Sequence, residues 1–234
     1  MIFGSVGTVS SSWNPPIPMS GLVNWYEPGN TAGITIGSPD TMENLAPSGS
    51  SSNVYEQTAT SLFGTDFIGA TTLTSNAEPN NSWVNGNSLE GYAEYTFILI
   101  SKYNNSDANE QRTTISENAG TSFKLGNIGG NMNVCIMQGT TVFPGNSTNT
   151  EWAMYTVTGD ENGTMLTNFY RNSNLTASAS FLSLPKGIRI FPSGGEPPTP
   201  PTSSSVGAIL IYDRVITDEE ISSIYQHYKQ RFGM

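Results

Sequence analysis

Cysteine occurs once in this chain of 234 residues, at Cys135, so no disulfide can form within it. Its neighbours, Met-Asn-Val before and Ile-Met after, are apolar, which predicts a core position rather than a reactive thiol. Basic residues are few as well: nine Lys and Arg against nineteen Asp and Glu, for a formal charge of −10. They are scattered, and a nucleic-acid surface needs clustered cations, so no nucleic-acid partner is expected. The only histidine is His227. That excludes a His–His metal site and leaves a single imidazole for any nucleophilic triad. No run of about 18 apolar residues is present, so no membrane insertion is expected. The N-terminal stretch lacks a basic segment followed by a continuous apolar one and does not read as a signal peptide.

Ser, Thr, Asn and Gly are plentiful, while charged residues make up 12% of the chain. That balance suits a polar-surfaced globular domain of short strands and long loops. Residues 1–20 read as an extended arm, because Pro15, Pro16 and Pro18 forbid ladder pairing. The arm carries Trp13 and Ile17, which must either fold back on the chain or dock on a neighbour. We expect Trp13, Pro15, Pro16 and Ile17 to anchor a partner. One domain fills residues 21–234. Tyr92–Ile100 is the most apolar strand, expected mid-sheet and buried on both faces. Further strands are expected near 113–116, 122–125, 132–137, 152–158, 165–171, 187–191 and 206–213, a spacing that indicates a sandwich. The segment 193–205 is rich in Pro and Ser and reads as a stiff exposed loop, a candidate contact with a partner. Glycosylation-type sequons begin at Asn80, Asn104, Asn146, Asn162 and Asn174, as an Asn/Ser/Thr-rich chain produces by composition.

The last segment, VGAILIYDRVITDEEISSIYQHYKQRFGM, predicts an apolar strand, a turn and an amphipathic helix. Thr217 with Glu220 forms a capping box, and Asp218, Glu219 and Glu220 complement the positive end of the helix. Ile221, Ile224, Tyr225, Tyr228 and Phe232 fall on one stripe, which in a strand-rich chain must lie on a sheet. This ending resembles the laminin-G-like, or concanavalin-A-like, lectin/glucanase modules. A second block, Thr150–Asn174, is similar in its Trp152, its Asp160–Gly163 turn and its Phe169-Tyr170-Arg171-Asn172 strand end. Ser173 stands where the family prefers Gly, so Asn172 or Asn174 is expected to take a positive φ. The resemblance implies an all-β fold: a two-sheet antiparallel jelly-roll sandwich with one C-terminal amphipathic helix. It also implies core positions for Trp25, Trp152 and Tyr212.

Some members of that fold are glucanases with alternate carboxylates along one strand, and no such string occurs here. Glu90 and Glu94, if both in a strand, stand about 13 Å apart, beyond the roughly 5–9.5 Å that glycoside hydrolysis uses. No enzymatic activity is expected, and no cofactor. Calcium is the one metal that the loop oxygens of Asp160–Asn162 or Asn104–Asp107 could suit, although both triplets are ordinary turn compositions. Sugar contact needs an aromatic platform beside amides, which nominates Trp83, flanked by Asn80, Asn81 and Asn85, and then Tyr103. The resemblance suggests a bacteriophage virion surface protein: a head decoration, fibre or tail appendage. It would sit in a multi-copy assembly with other virion structural proteins, with weak adhesion to host glycans. The alternative is a carbohydrate-binding module of a cell-surface or extracellular system.

Overall fold

The computed structural model describes, with side chains, residues 16–28, 42–47, 92–102, 151–182 and 205–234, together with the backbone of the strands lying between them. The arm residues Trp13 and Pro15, the proline-rich loop 193–203, Glu90 and Asn104–Asp107 lie outside the described residues.

Two antiparallel sheets make up the fold. The strands in chain order are β1 (Leu22–Tyr26), β2 (Ile34–Thr35), β3 (Thr41–Met42), β4 (Val54–Glu56), β5 (Leu62–Asp66), β6 (Ala70–Thr74), β7 (Trp83–Asn85), β8 (Glu94–Tyr103) and β9 (Arg112–Glu117). There follow β10 (Phe123–Ile128), β11 (Asn131–Met137), β12 (Thr140–Phe143), β13 (Ala153–Asp160), β14 (Leu166–Arg171), β15 (Asn174–Ser180), β16 (Ile188–Ile190) and β17 (Ser204–Tyr212). The helix α1 spans Asp218–Phe232. One sheet runs β15-β14-β13-β8-β17-β6-β5, with β1 also paired to β17; the other runs β12-β11-β10-β9-β16-β7-β4-β3-β2. The fold is thus the all-β jelly-roll sandwich closed by one helix that the sequence predicts.

The first sheet is covered on both faces at its centre, and alternation along its strands sorts the residues. Tyr95, Phe97 and Leu99 of β8 join Ile209 and Ile211 of β17 and Tyr155 and Val157 of β13 in one core, shared with Met42 of the second sheet. Ile98 and Ile100 point the other way, with Ala208, Leu210, Tyr212 and Met154, and meet Ile221, Ile224, Tyr228 and Phe232 of α1. Tyr95–Ile100 are all fully buried, as a central strand requires.

The helix starts and stops where the sequence marks it. Thr217 accepts the Glu220 N–H while the Glu220 carboxylate accepts the Thr217 N–H, and Gly233 ends it in the left-handed region at φ 68°. Arg214, in the turn before the helix, grips Glu220 with two hydrogen bonds of 2.8 and 2.6 Å. Gly207 is needed for close approach: a Cβ there would stand 2.5 Å from the Phe232 ring.

Two sequence expectations require correction: a partner-anchoring role for Ile17, and full burial of Trp25 and Tyr225. Residues 16–20 take the first of the two courses open to the arm and fold back on the chain. Ile17 is 5% exposed within the helix-side core. Around it, the Pro16 carbonyl accepts from Ser223, the Pro18 carbonyl from Tyr212 and the Ser20 carbonyl from Arg214. Ile17 therefore anchors its own chain and cannot anchor another, while Pro16 stays exposed. Trp25 and Tyr225 are only partly buried. Asn172 and Ser173 both take positive φ, at 50° and 64°. A two-residue turn that closes a tight hairpin asks for positive φ at both central positions, so Ser173 adopts it despite its Cβ.

Candidate functional site

Helix α1 covers the middle of the first sheet and leaves the β14–β15 hairpin uncovered on the same face. The register shows what lies on that shelf. Thr96 on β8, Thr158 on β13, Asn168 on β14 and Ser178 on β15 stand opposite one another in sequence, forming a polar row across four strands. The adjacent row is Ile98, Thr156, Tyr170 and Leu175. Ile98 and Tyr170 both contribute to the helix-side cluster, and cross-strand partners share a face, so both rows face the helix side.

The polar row changes character along its length. Thr96 is fully buried; its hydroxyl donates to the Arg214 carbonyl at 2.9 Å and accepts the Ile216 N–H at 3.1 Å. It fastens the turn that leads into the helix. Thr158 is buried too, beside the Tyr170 phenol. Farther out, Ser178 donates to Asn168 Oδ1 at 2.7 Å, with Asn168 half-buried and Ser178 exposed. The NH₂ of Asn168 is left as its donor.

Tyr170 bridges hairpin and helix. Asp218, in the first helical turn, stands beside its hydroxyl, and burial followed by this carboxylate pushes the phenol pKa up to about 12. The phenol therefore stays protonated at physiological pH, and the exposed Asp218 carboxylate is an acceptor at the edge of the shelf. Leu175, directly across from Tyr170, is 57% exposed, and Leu166 and Met165 at the far end of the hairpin are 39% and 56% exposed. Leu166 lies four residues from Tyr170, about 13 Å along the strand. The result is an open step: a floor of Leu166, Asn168, Tyr170, Leu175 and Ser178, with Asp218 as its wall.

Other carboxylates are committed elsewhere. Asp160 lies opposite Glu94 in the register. Yet Asp160 caps its own loop, accepting the Gly163 and Thr164 N–H groups at 2.6 and 2.7 Å, and these backbone bonds lower its pKa. A glycosidic general acid needs the opposite shift. Glu27 is buried at the end of β1, where it accepts from Trp25 Nε1 at 3.0 Å and Tyr228 at 3.1 Å and pairs with Arg231. It ties the helix's last turns to the sheet. Among the described residues no group of His, Cys, Asp and Glu could hold a metal ion, and the Asp160 oxygens are spent on backbone. Among them, too, no helix is long and apolar enough to cross a membrane.

The sugar-contact residues nominated from sequence, Trp83 and Tyr103, belong to different sheets. Trp83 lies on β7 of the second sheet, between Ile190 and Glu56, whereas Tyr103 ends β8 of the first, opposite Ser204. Their side chains, like that of Cys135, are outside the described residues. Sequence reasoning missed the shelf because it used Tyr170 only as a strand-end marker and Asp218 only as a helix-dipole partner. The usable signal was the period-two alternation Leu166, Asn168, Tyr170, an apolar–amide–aromatic series along one strand face.

No protein-family profile matches the chain and no curated protein sequence is similar to it. Solved structures do match. The binding domain of Paraclostridial Mosquitocidal Protein 1 superposes with a TM-score of 0.63 at 14% identity, over 89% of this chain and 52% of that one. The receptor binding domain of botulinum neurotoxin type G gives 0.61 at 15% identity, over 88% and 51%. A Trypanosoma rangeli sialidase gives 0.62 at 11% identity, over 92% and 33%. The chain thus spans about half the length of the toxin binding domains and about a third of the sialidase. At these identities the likeness is one of fold, and the fold is the β-sandwich of these binding domains.

Proposed function

We propose that this chain is a non-enzymatic, lectin-like binding module whose ligands are surface glycans. The observation that carries the reading is the likeness, over 88–89% of this chain and 51–52% of theirs, to two structures named as binding or receptor-binding domains. The shelf supports it, since an aromatic ring, an amide and a carboxylate stand together on an open sheet face. The described carboxylates support the absence of hydrolysis: Asp160 is held ionised by its own turn, and Glu27 is neutralised by Arg231. A module of this kind suits the outside of a multi-copy assembly, a virion among them, with the residues ahead of Pro16 as the attachment. The experiment is a glycan array probed with the purified chain, run beside a reducing-sugar assay on the bound glycans. Binding without turnover is expected. An empty array, or sugar release abolished by one Glu→Gln change, overturns the reading.

A further inference from the structure

We infer that the open step between the β14–β15 hairpin and the first turn of α1 is a binding site for an uncharged saccharide. This inference rests on the binding-module reading and assigns it a place and a ligand chemistry.

A sugar ring offers apolar C–H faces and a rim of hydroxyls that both donate and accept. The step provides a partner for each. The half-buried Tyr170 ring and the exposed Leu175 side chain give an apolar floor. Asn168 supplies a donor: its Oδ1 accepts from Ser178 at 2.7 Å, and its NH₂ is the remaining polar group. Asp218, beside the Tyr170 hydroxyl, supplies an acceptor. A donor and a carboxylate flanking an aromatic ring match adjacent hydroxyls on one sugar. Asn168 is braced by Ser178 before any ligand arrives, so little of its side-chain freedom is lost on binding.

Charge selects the kind of glycan. Asp218 and Glu219 stand at the wall and Asp160 lies opposite Leu166 at the far end, on a chain of net charge −10. A sialylated or sulfated sugar would bring a second anion to that edge and be repelled. An apolar peptide would meet a floor interrupted by the polar pair Asn168 and Ser178. The step therefore fits a neutral saccharide better than either.

The test is NMR titration of the full chain with lactose, maltotriose, chitotriose and sialyllactose, repeated for Asn168→Ala, Asp218→Asn and, as a surface control, Gln226→Ala. The expected result is that a neutral probe binds and that Asn168→Ala and Asp218→Asn each weaken it by about tenfold or more, the loss of one hydrogen bond to a charged or oriented group. Gln226→Ala should leave affinity unchanged, and sialyllactose should bind no better than lactose. Neutral binding that survives both shelf variants overturns this site while leaving the binding-module reading intact. Preference for sialyllactose overturns the ligand class. Failure of every probe overturns the inference, and the wider array then decides whether the module reading falls with it.

Discussion

Thr96 and Asn168 stand two strands apart in the same cross-strand row, yet they do different work. At the covered end the helix and its approach turn close over Thr96, and both of its hydrogen-bonding capacities are spent on the backbone of Arg214 and Ile216. At the open end the sheet runs out from under the helix, and among the described residues the Asn168 side chain bonds Ser178 alone. A polar row on a sheet face is thus structural where another element lies on it and available where none does. The helix, by its length and angle, sets the boundary.

That comparison can be broken from its covered side first. Ile224 is the centre of the stripe that holds the helix down, and it is fully buried. Ile224→Ala should cost roughly 2–5 kcal/mol by transfer and cavity terms. Chemical denaturation measures it; a variant as stable as the parent would mean the helix does not seal this face. Next in size is Thr96→Val, which keeps shape but strands the buried Ile216 N–H and Arg214 carbonyl. The expected cost is about 1–3 kcal/mol, seen as a lower denaturation midpoint, and an unchanged midpoint would show the row is not a fastening.

Acid should loosen the same corner by a smaller amount. The Arg214 guanidinium, with the Thr217 N–H, holds the Glu220 carboxyl below its ordinary value of 4.5. The folded state therefore binds that proton less tightly than the unfolded state. Its contribution is present above the ordinary carboxylate range and disappears as pH falls through the lowered value. Both groups are partly solvent-exposed, so the effect is modest. Melting temperatures followed from pH 7 downward should drop less steeply in Glu220→Gln than in the parent. The smallest effect sharpens the comparison at its midpoint. Thr156 sits beside Tyr170 with a buried hydroxyl that has no partner. Thr156→Val should be neutral or slightly stabilising, because it removes a desolvated polar atom without orphaning another. A clear loss of stability would show that the hydroxyl is engaged.

What could be read in advance follows from where the information is local. Helix α1 is legible because the cap, the acidic first turn, the stripe and Gly233 all lie within one short segment. β8 and β17 are legible because burial on both faces demands unbroken apolar runs. β15 was not expected as a strand: Asn174–Ser180 is small and polar, mostly exposed, and becomes a strand by pairing with β14 through a turn whose positive φ values fall on Asn172 and Ser173. β6, β12 and the short β2–β4 escaped for a related reason, since their pairing partners, not their own patterns, make them strands. Glu27 meets Tyr228 and Arg231 through the return of the helix, more than 200 residues on, and no local pattern marks that meeting. The shelf is the extreme case. Asn168 and Tyr170 are separated from Asp218 in the chain by the hairpin turn and all of β15, β16 and β17, so their meeting is a product of register.

The most direct test of this division is a paired measurement on Thr96→Val and Asn168→Ala, each scored for both melting temperature and affinity for the neutral saccharide that the parent binds. The account predicts that the two readouts separate. Thr96→Val lowers the melting temperature and leaves affinity in place, whereas Asn168→Ala melts with the parent and loses affinity by about tenfold or more. If Asn168→Ala instead destabilises the fold while its folded fraction binds normally, the open end of the row is structural too, and the shelf is not a site.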